Sequence, residues 1–84
     1  MSRYDKAMYA VVDGDYKGSY IIPVDITSEC YIKCFQLPEQ RVLTVPETDY
    51  RKAIDNELLD KVADLEESVY DYIYELYKHK TDNN

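Results

Sequence analysis

ETDYRKAIDNELLDKVADLEESVYDYIYELYKHK, residues 47–80, reads as one long amphipathic helix, whereas everything before it reads as short strands. Leu58, Val62, Leu65, Val69, Tyr72 and Leu76 fall alternately four and three residues apart, a step that stacks side chains along one helical stripe. Asp60, Asp64, Glu67, Asp71 and Glu75 keep a similar step on nearly the opposite side. The expectation is therefore a helix with one apolar edge to bury and one acidic edge left for water or a partner. Both ends agree with it. Pro46 suits a first turn, where its missing N–H costs nothing. Thr44-Val45-Pro46-Glu47 has the capping-box spacing, with Thr48 as the alternative cap. Glu47 and Asp49 complement the positive end of the helix dipole, and Lys78, His79 and Lys80 the negative end. Asp55-Asn56 is the weak point, because both residues prefer caps to interiors. Unbroken, such a helix approaches about 50 Å in length.

Upstream, KAMYAVV (residues 6–12) predicts a strand with apolar groups on both faces, Ala7, Tyr9 and Val11 against Met8, Ala10 and Val12. Asp13-Gly14 marks a hairpin turn. A second strand, SYIIPVDI (residues 19–26), alternates Tyr20, Ile22, Val24 and Ile26 against Ile21, Pro23 and Asp25. Pro23 lacks an N–H, so this strand lies at an edge or carries a bulge. A third follows the polar turn Thr27-Ser28-Glu29, with Cys30, Ile32 and Cys34 inward and Tyr31, Lys33 and Phe35 on the second face. Pro38-Glu39-Gln40 turns into a fourth, residues 41–45, with Val42 and Thr44 opposite Leu43 and Val45. Short strands joined by short turns mean an antiparallel meander. The fold class expected is α+β: one domain over residues 1–84, a four-stranded antiparallel sheet (6–45) and one C-terminal helix (47–80). The core is expected to draw on Tyr9, Val11, Ile22, Val24, Ile32, Cys34, Val42, Leu58, Val62, Leu65 and Val69.

Gly14-Asp15-Tyr16-Lys17-Gly18, followed by a hydrophobic strand ending at Val24, resembles the core of the KOW motif of SH3-like barrels. The resemblance implies a sheet that curls toward a small barrel. Where that motif places a further Gly, this chain has Ile21, and the surroundings are acidic rather than basic.

Charge narrows the partners. A net charge of −7 weighs against direct nucleic-acid binding, which needs Lys and Arg to neutralise phosphates, and against anionic membranes. No segment is long and apolar enough to span a bilayer, and the amino end lacks a signal-peptide run. Cys30 and Cys34 sit too close on one strand to staple a fold, so they are expected to be reduced thiols in a cytoplasmic protein. Ten tyrosines, one Phe and no Trp suit a small domain with much half-buried surface.

Chemistry has few footholds. His79 is the only histidine, Cys30 and Cys34 have no second pair, and Asp13-Gly14-Asp15 lacks the later ligands of a calcium loop. No catalytic, metal or cofactor site is expected, and hence no enzyme. What remains is the acidic, Tyr-rich helix. Carboxylates three or four residues apart lie ~5–6 Å from one another on a helix, on the scale of nucleic-acid phosphates. The leading expectation is a small module that inhibits or regulates a basic, nucleic-acid-binding host protein, of the kind phages and mobile elements encode. Its contact residues would be Asp60, Asp64, Glu67, Tyr70, Asp71, Tyr74, Glu75 and Tyr77. Two alternatives stand beside it: a structural homodimer pairing through Val69, Tyr72 and Leu76, and a barrel binding nucleic acid through Lys17, Lys33, Arg41 and nearby tyrosines.

Overall fold

A computed structural model describes residues 6–82, with the side chain of Asp82 excepted. The elements are β1 (Ala7–Val11), β2 (Tyr20–Ile26), β3 (Tyr31–Leu37), β4 (Arg41–Pro46), α1 (Glu47–Asp55), β5 (Leu59–Asp64) and α2 (Glu67–Asp82). All strand pairs are antiparallel, in the order β4-β3-β2-β1-β5, and the sheet stays open. The fold is α+β as expected. The four strands and single helix are corrected to five strands and two helices, and the barrel implied by the KOW resemblance does not close.

The long helix breaks where Asp55-Asn56 is weak. Asn56 caps α1, and Glu57 enters the left-handed region at φ 60°. The Glu57 N–H then bonds to the Ile54 carbonyl, and that of Leu58 reaches back to Ala53. This pair of reversed bonds is the Schellman stop, formed here without the usual glycine. Beyond it the chain is extended, because β1 needs a second neighbour. With apolar residues on both faces, β1 is stable only inside a sheet, and residues 59–64 supply its missing ladder. The pairing also explains how the helical spacing misled. Val62 is the extra residue of a bulge opposite Met8 and Tyr9, and its side chain is half exposed rather than core. As an outer strand, β5 exposes Asp60, Lys61 and Asp64, charges that discourage edge-to-edge association. The longest dimension is 32 Å, well short of the ~50 Å that an unbroken helix over residues 47–80 would reach.

Each sheet face receives one helix. On the first, Tyr50 and Ile54 of α1 pack with Ala7, Tyr9, Ile21, Ile32 and Cys34. The rings of Tyr9 and Tyr50 meet edge to face, 6.1 Å apart. On the second, Tyr70, Ile73 and Tyr77 of α2 cover Ile22, Val24 and Phe35. Of the expected core, Tyr9, Ile22, Val24, Ile32 and Cys34 are buried and Val11, Val42 and Leu65 partly so. Leu58, Val62 and Val69 are exposed, since they belonged to a helical stripe that does not form.

Pro23 resolves by a bulge, not by an edge: β2 is the central strand, and its register against β3 shifts between Pro23 and Asp25. Val24 is the extra residue. The shift carries Asp25 to the α2 face and Ile26 to the α1 face, the reverse of the simple alternation. The loop between β1 and β2 uses Gly14 and Gly18 at φ 95° and 91°, values that side chains rarely adopt. The capping box is not used: Pro46 occupies the cap position of α1, and the Glu47 N–H bonds to the Cys30 carbonyl instead.

Candidate functional site

The acidic row expected on one helix is distributed over two elements and both sheet faces. Asp64 lies opposite Ala7, on the α1 side, where Lys61 bridges it at 2.6 Å. Asp60 lies opposite Ala10, on the α2 side. Glu67 opens α2 and pairs with Lys6 of the β1 end at 3.3 Å. Asp71 is partly buried, and Glu75 is exposed one turn further along. The structure therefore gathers Glu67, Asp71 and Glu75 on α2 and separates them from Asp64.

The tyrosines divide more sharply. Tyr70 is 0% and Tyr77 6% exposed. The Tyr70 hydroxyl donates toward the carbonyls of Pro23 and Val24, at 3.3 and 3.1 Å, which pins α2 onto the β2 bulge. Tyr74 is partly buried with its ring tilted against Tyr77, centroids 5.5 Å apart. All three sit on the inner face of α2. The outer face carries Tyr72, 66% exposed, and Val69, 45% exposed. Both had been read as part of the buried stripe. With β5 removed from the helix, the inward direction of α2 is set by Tyr70, Ile73 and Tyr77, spaced three and four apart.

Beneath α2 lies a group that strand alternation placed on the wrong face. The Asp25 carboxylate is fully buried; Oδ1 accepts the Ile26 N–H at 3.0 Å, and Oδ2 has no hydrogen-bond partner among the described residues. Burial first, then the Asp25 charge and Tyr74, push the Tyr77 phenol up to about 12. Lys33 is the cross-strand neighbour of Asp25, yet its ammonium goes to Thr44 Oγ1 at 2.9 Å. An Asp two residues after a strand proline was the available signal, because a proline inside a strand foretells a bulge and a change of face.

Cys34 is buried, and desolvation pushes its thiol up to about 12, so the thiolate is suppressed. Cys30 is exposed in the turn before β3 at φ 65°. His79 stands exposed in the last turn of α2. Among the described residues no three His, Cys, Asp or Glu side chains are grouped to hold a metal ion, and no helix is long and apolar enough to cross a membrane.

The residues considered for nucleic acid are also divided. Lys17, Arg41 and Tyr16 line one polar hollow together with Asp15 and Glu39, which offset their charge. Arg41 donates to Gln36 at 3.0 Å and stands 6.0 Å from the Tyr16 ring. Lys33, bound to Thr44, belongs to the other face of the sheet.

Between α1 and the sheet there is a further hollow of about 210 Å³. Its walls include Val11, Leu43, Ala53 and Leu58, and among the described residues the carboxylates that line it are Asp13 and Asp49. Comparison of the chain with protein-family models, curated proteins and solved structures found no match.

Proposed function

We propose that the protein is a non-catalytic binding module for a basic protein partner, acting as an inhibitor or regulator of the kind directed at nucleic-acid-binding proteins. One observation carries this reading: the outer face of α2 presents Tyr72 and Val69 to solvent beside the exposed carboxylate of Glu75. Tyr72 lies three residues from both Val69 and Glu75, so the three are neighbours on the helix surface. An exposed aromatic ring flanked by charge is the composition of an interface anchor: the ring supplies desolvated area and the carboxylates supply steering and register. The net charge of −7 directs that surface toward cations. Tyr72 thus takes the anchoring role that the sequence assigned to Tyr70, Tyr74 and Tyr77.

The test is affinity capture from a nuclease-treated bacterial lysate with wild type, Tyr72→Ser and Glu75→Lys. A basic protein retained by wild type and lost from both variants supports the reading. Equal recovery by all three would refute it. The homodimer is a second reading favoured by the same helix, since Val69, Tyr72 and Leu76 form an apolar strip with Val69 and Tyr72 exposed. It predicts a mass that rises with concentration in sedimentation, is abolished by Tyr72→Ser, and is indifferent to removal of lysate proteins.

A further inference from the structure

The hollow on the α1 side is too small for a cofactor and has the wrong lining for water. Its volume of about 210 Å³ falls below the ~300–1,000 Å³ of ligand pockets, yet exceeds the ~150 Å³ of an apolar cavity that holds a benzene ring. One large apolar side chain fits it. The reason for the hollow is structural. The nine residues of α1 run from the β4 edge to the Schellman stop and cover only part of their sheet face. Tyr16 from the loop after β1 and Leu58 after the stop line the hollow that remains. Leu58 is a rim residue, 38% exposed.

Charge selects the occupant. Asp13, from the loop after β1, and Asp49, from the first turn of α1, line the hollow, and among the described residues no Lys or Arg does. Asp13 is held in place by the Gly14 N–H, which donates to Oδ1 at 2.9 Å. Arg41 stands 6.0 Å from the Tyr16 ring and already donates to Gln36. Cys34 also lines the hollow, and its suppressed thiolate adds apolar wall rather than reactivity.

We infer that this hollow is a docking pocket for a segment of a basic protein in which one large apolar side chain lies between Lys or Arg residues. The apolar side chain fills the cavity against Leu43, Ala53 and Leu58, and the flanking cations meet Asp13 and Asp49. The inference rests on the reading of the protein as a binder of basic partners and adds a second contact, on the sheet face opposite α2.

The test uses defined peptides on the whole ¹⁵N-labelled chain. The probes are acetyl-Lys-Arg-Phe-Arg-Lys-amide, its Phe→Ser version, and the charge-reversed acetyl-Glu-Asp-Phe-Asp-Glu-amide. Saturable shifts of the Ala53, Leu58 and Leu59 amides with the first probe are expected, at least tenfold tighter than with either control. Ala53→Leu, which fills the cavity, and Asp13→Lys with Asp49→Lys, which alter only its rim, should each weaken binding at least tenfold. Equal binding of the Ser peptide, equal binding of the acidic peptide, or no saturation would overturn the pocket. Shifts confined to Val69, Tyr72 and Glu75 would also overturn it while leaving the proposed function standing. Loss of lysate capture in the α2 variants with the peptide shifts intact would separate the two surfaces.

Discussion

Replacing Tyr70 by Phe removes one atom and tests the largest change of role in this protein. Tyr70 is fully buried, and its hydroxyl sits 3.1 Å from the Val24 carbonyl and 3.3 Å from that of Pro23. One hydroxyl proton is shared between two acceptors at the β2 bulge, so the bond is a single, divided one. Its net worth is about 1 kcal/mol, and leaving two buried carbonyls without that donor raises the cost to about 1–2 kcal/mol. The ring stays, so packing against Ile22 and Phe35 is retained. In a domain of this size each kcal/mol corresponds to roughly 4–8 °C in Tm. Urea unfolding of wild type, Tyr70→Phe and Tyr72→Phe gives the answer. Tyr70→Phe should lower the midpoint without changing the slope, and Tyr72→Phe, on an exposed ring, should stay within about 0.5 kcal/mol of wild type. Partner capture should be untouched by Tyr70→Phe. A Tyr70→Phe protein as stable as wild type, or one that folds normally but loses its partner, would refute the assignment of Tyr70 to the core.

Three further outcomes are expected. Glu57→Gly should stabilise the fold by about 1 kcal/mol, measured as an upward shift of the urea midpoint, because Glu57 holds φ 60° where a side chain carries a penalty. The Cys34 thiol rises from 9.0 to about 12 in the folded state, so the unfolded chain ionises first. That contribution, at most about 4 kcal/mol, is complete below pH 9 and is lost as pH climbs toward 12; Tyr77 acts in the same direction, and Cys34→Ala should show a shallower alkaline loss. Asp25→Asn should bring the Tyr77 phenol down from about 12 toward 10, read from its absorbance in an alkaline titration, because the Asp25 carboxylate helps hold it up; an unchanged titration would mean that burial alone raises it.

Much of the sheet was legible because its signals are local. Strands β1 to β4, their turns and their antiparallel order follow from alternating apolar residues, two glycines and two prolines at turns and bulges. The weakness of Asp55-Asn56 was legible too, as a pair of poor helix formers. What followed it was not. Leu58, Val62 and Leu65 kept the helical step by coincidence, and in a strand with a bulge at Val62 the same spacing carries no meaning. The candidate surface inherited that error: a row of carboxylates defined by one helix dissolved once Asp60 and Asp64 became edge-strand residues. Tyr72 and the Asp13–Asp49 hollow lay outside it, since neither is visible until α1 and α2 have chosen their faces.

By itself the sequence determined the α+β class, the antiparallel order of the first four strands and the acidic balance, all of which depend on composition or near neighbours. The tertiary structure alone decided that residues 59–64 extend, that α2 buries Tyr70 and Tyr77 while showing Tyr72, and that Asp25 turns inward. Those outcomes are decided by β1, an apolar strand whose second edge had to be paired by a segment about fifty residues distant. No local propensity encodes that demand, because it arises from a ladder that exists only once the chain has folded.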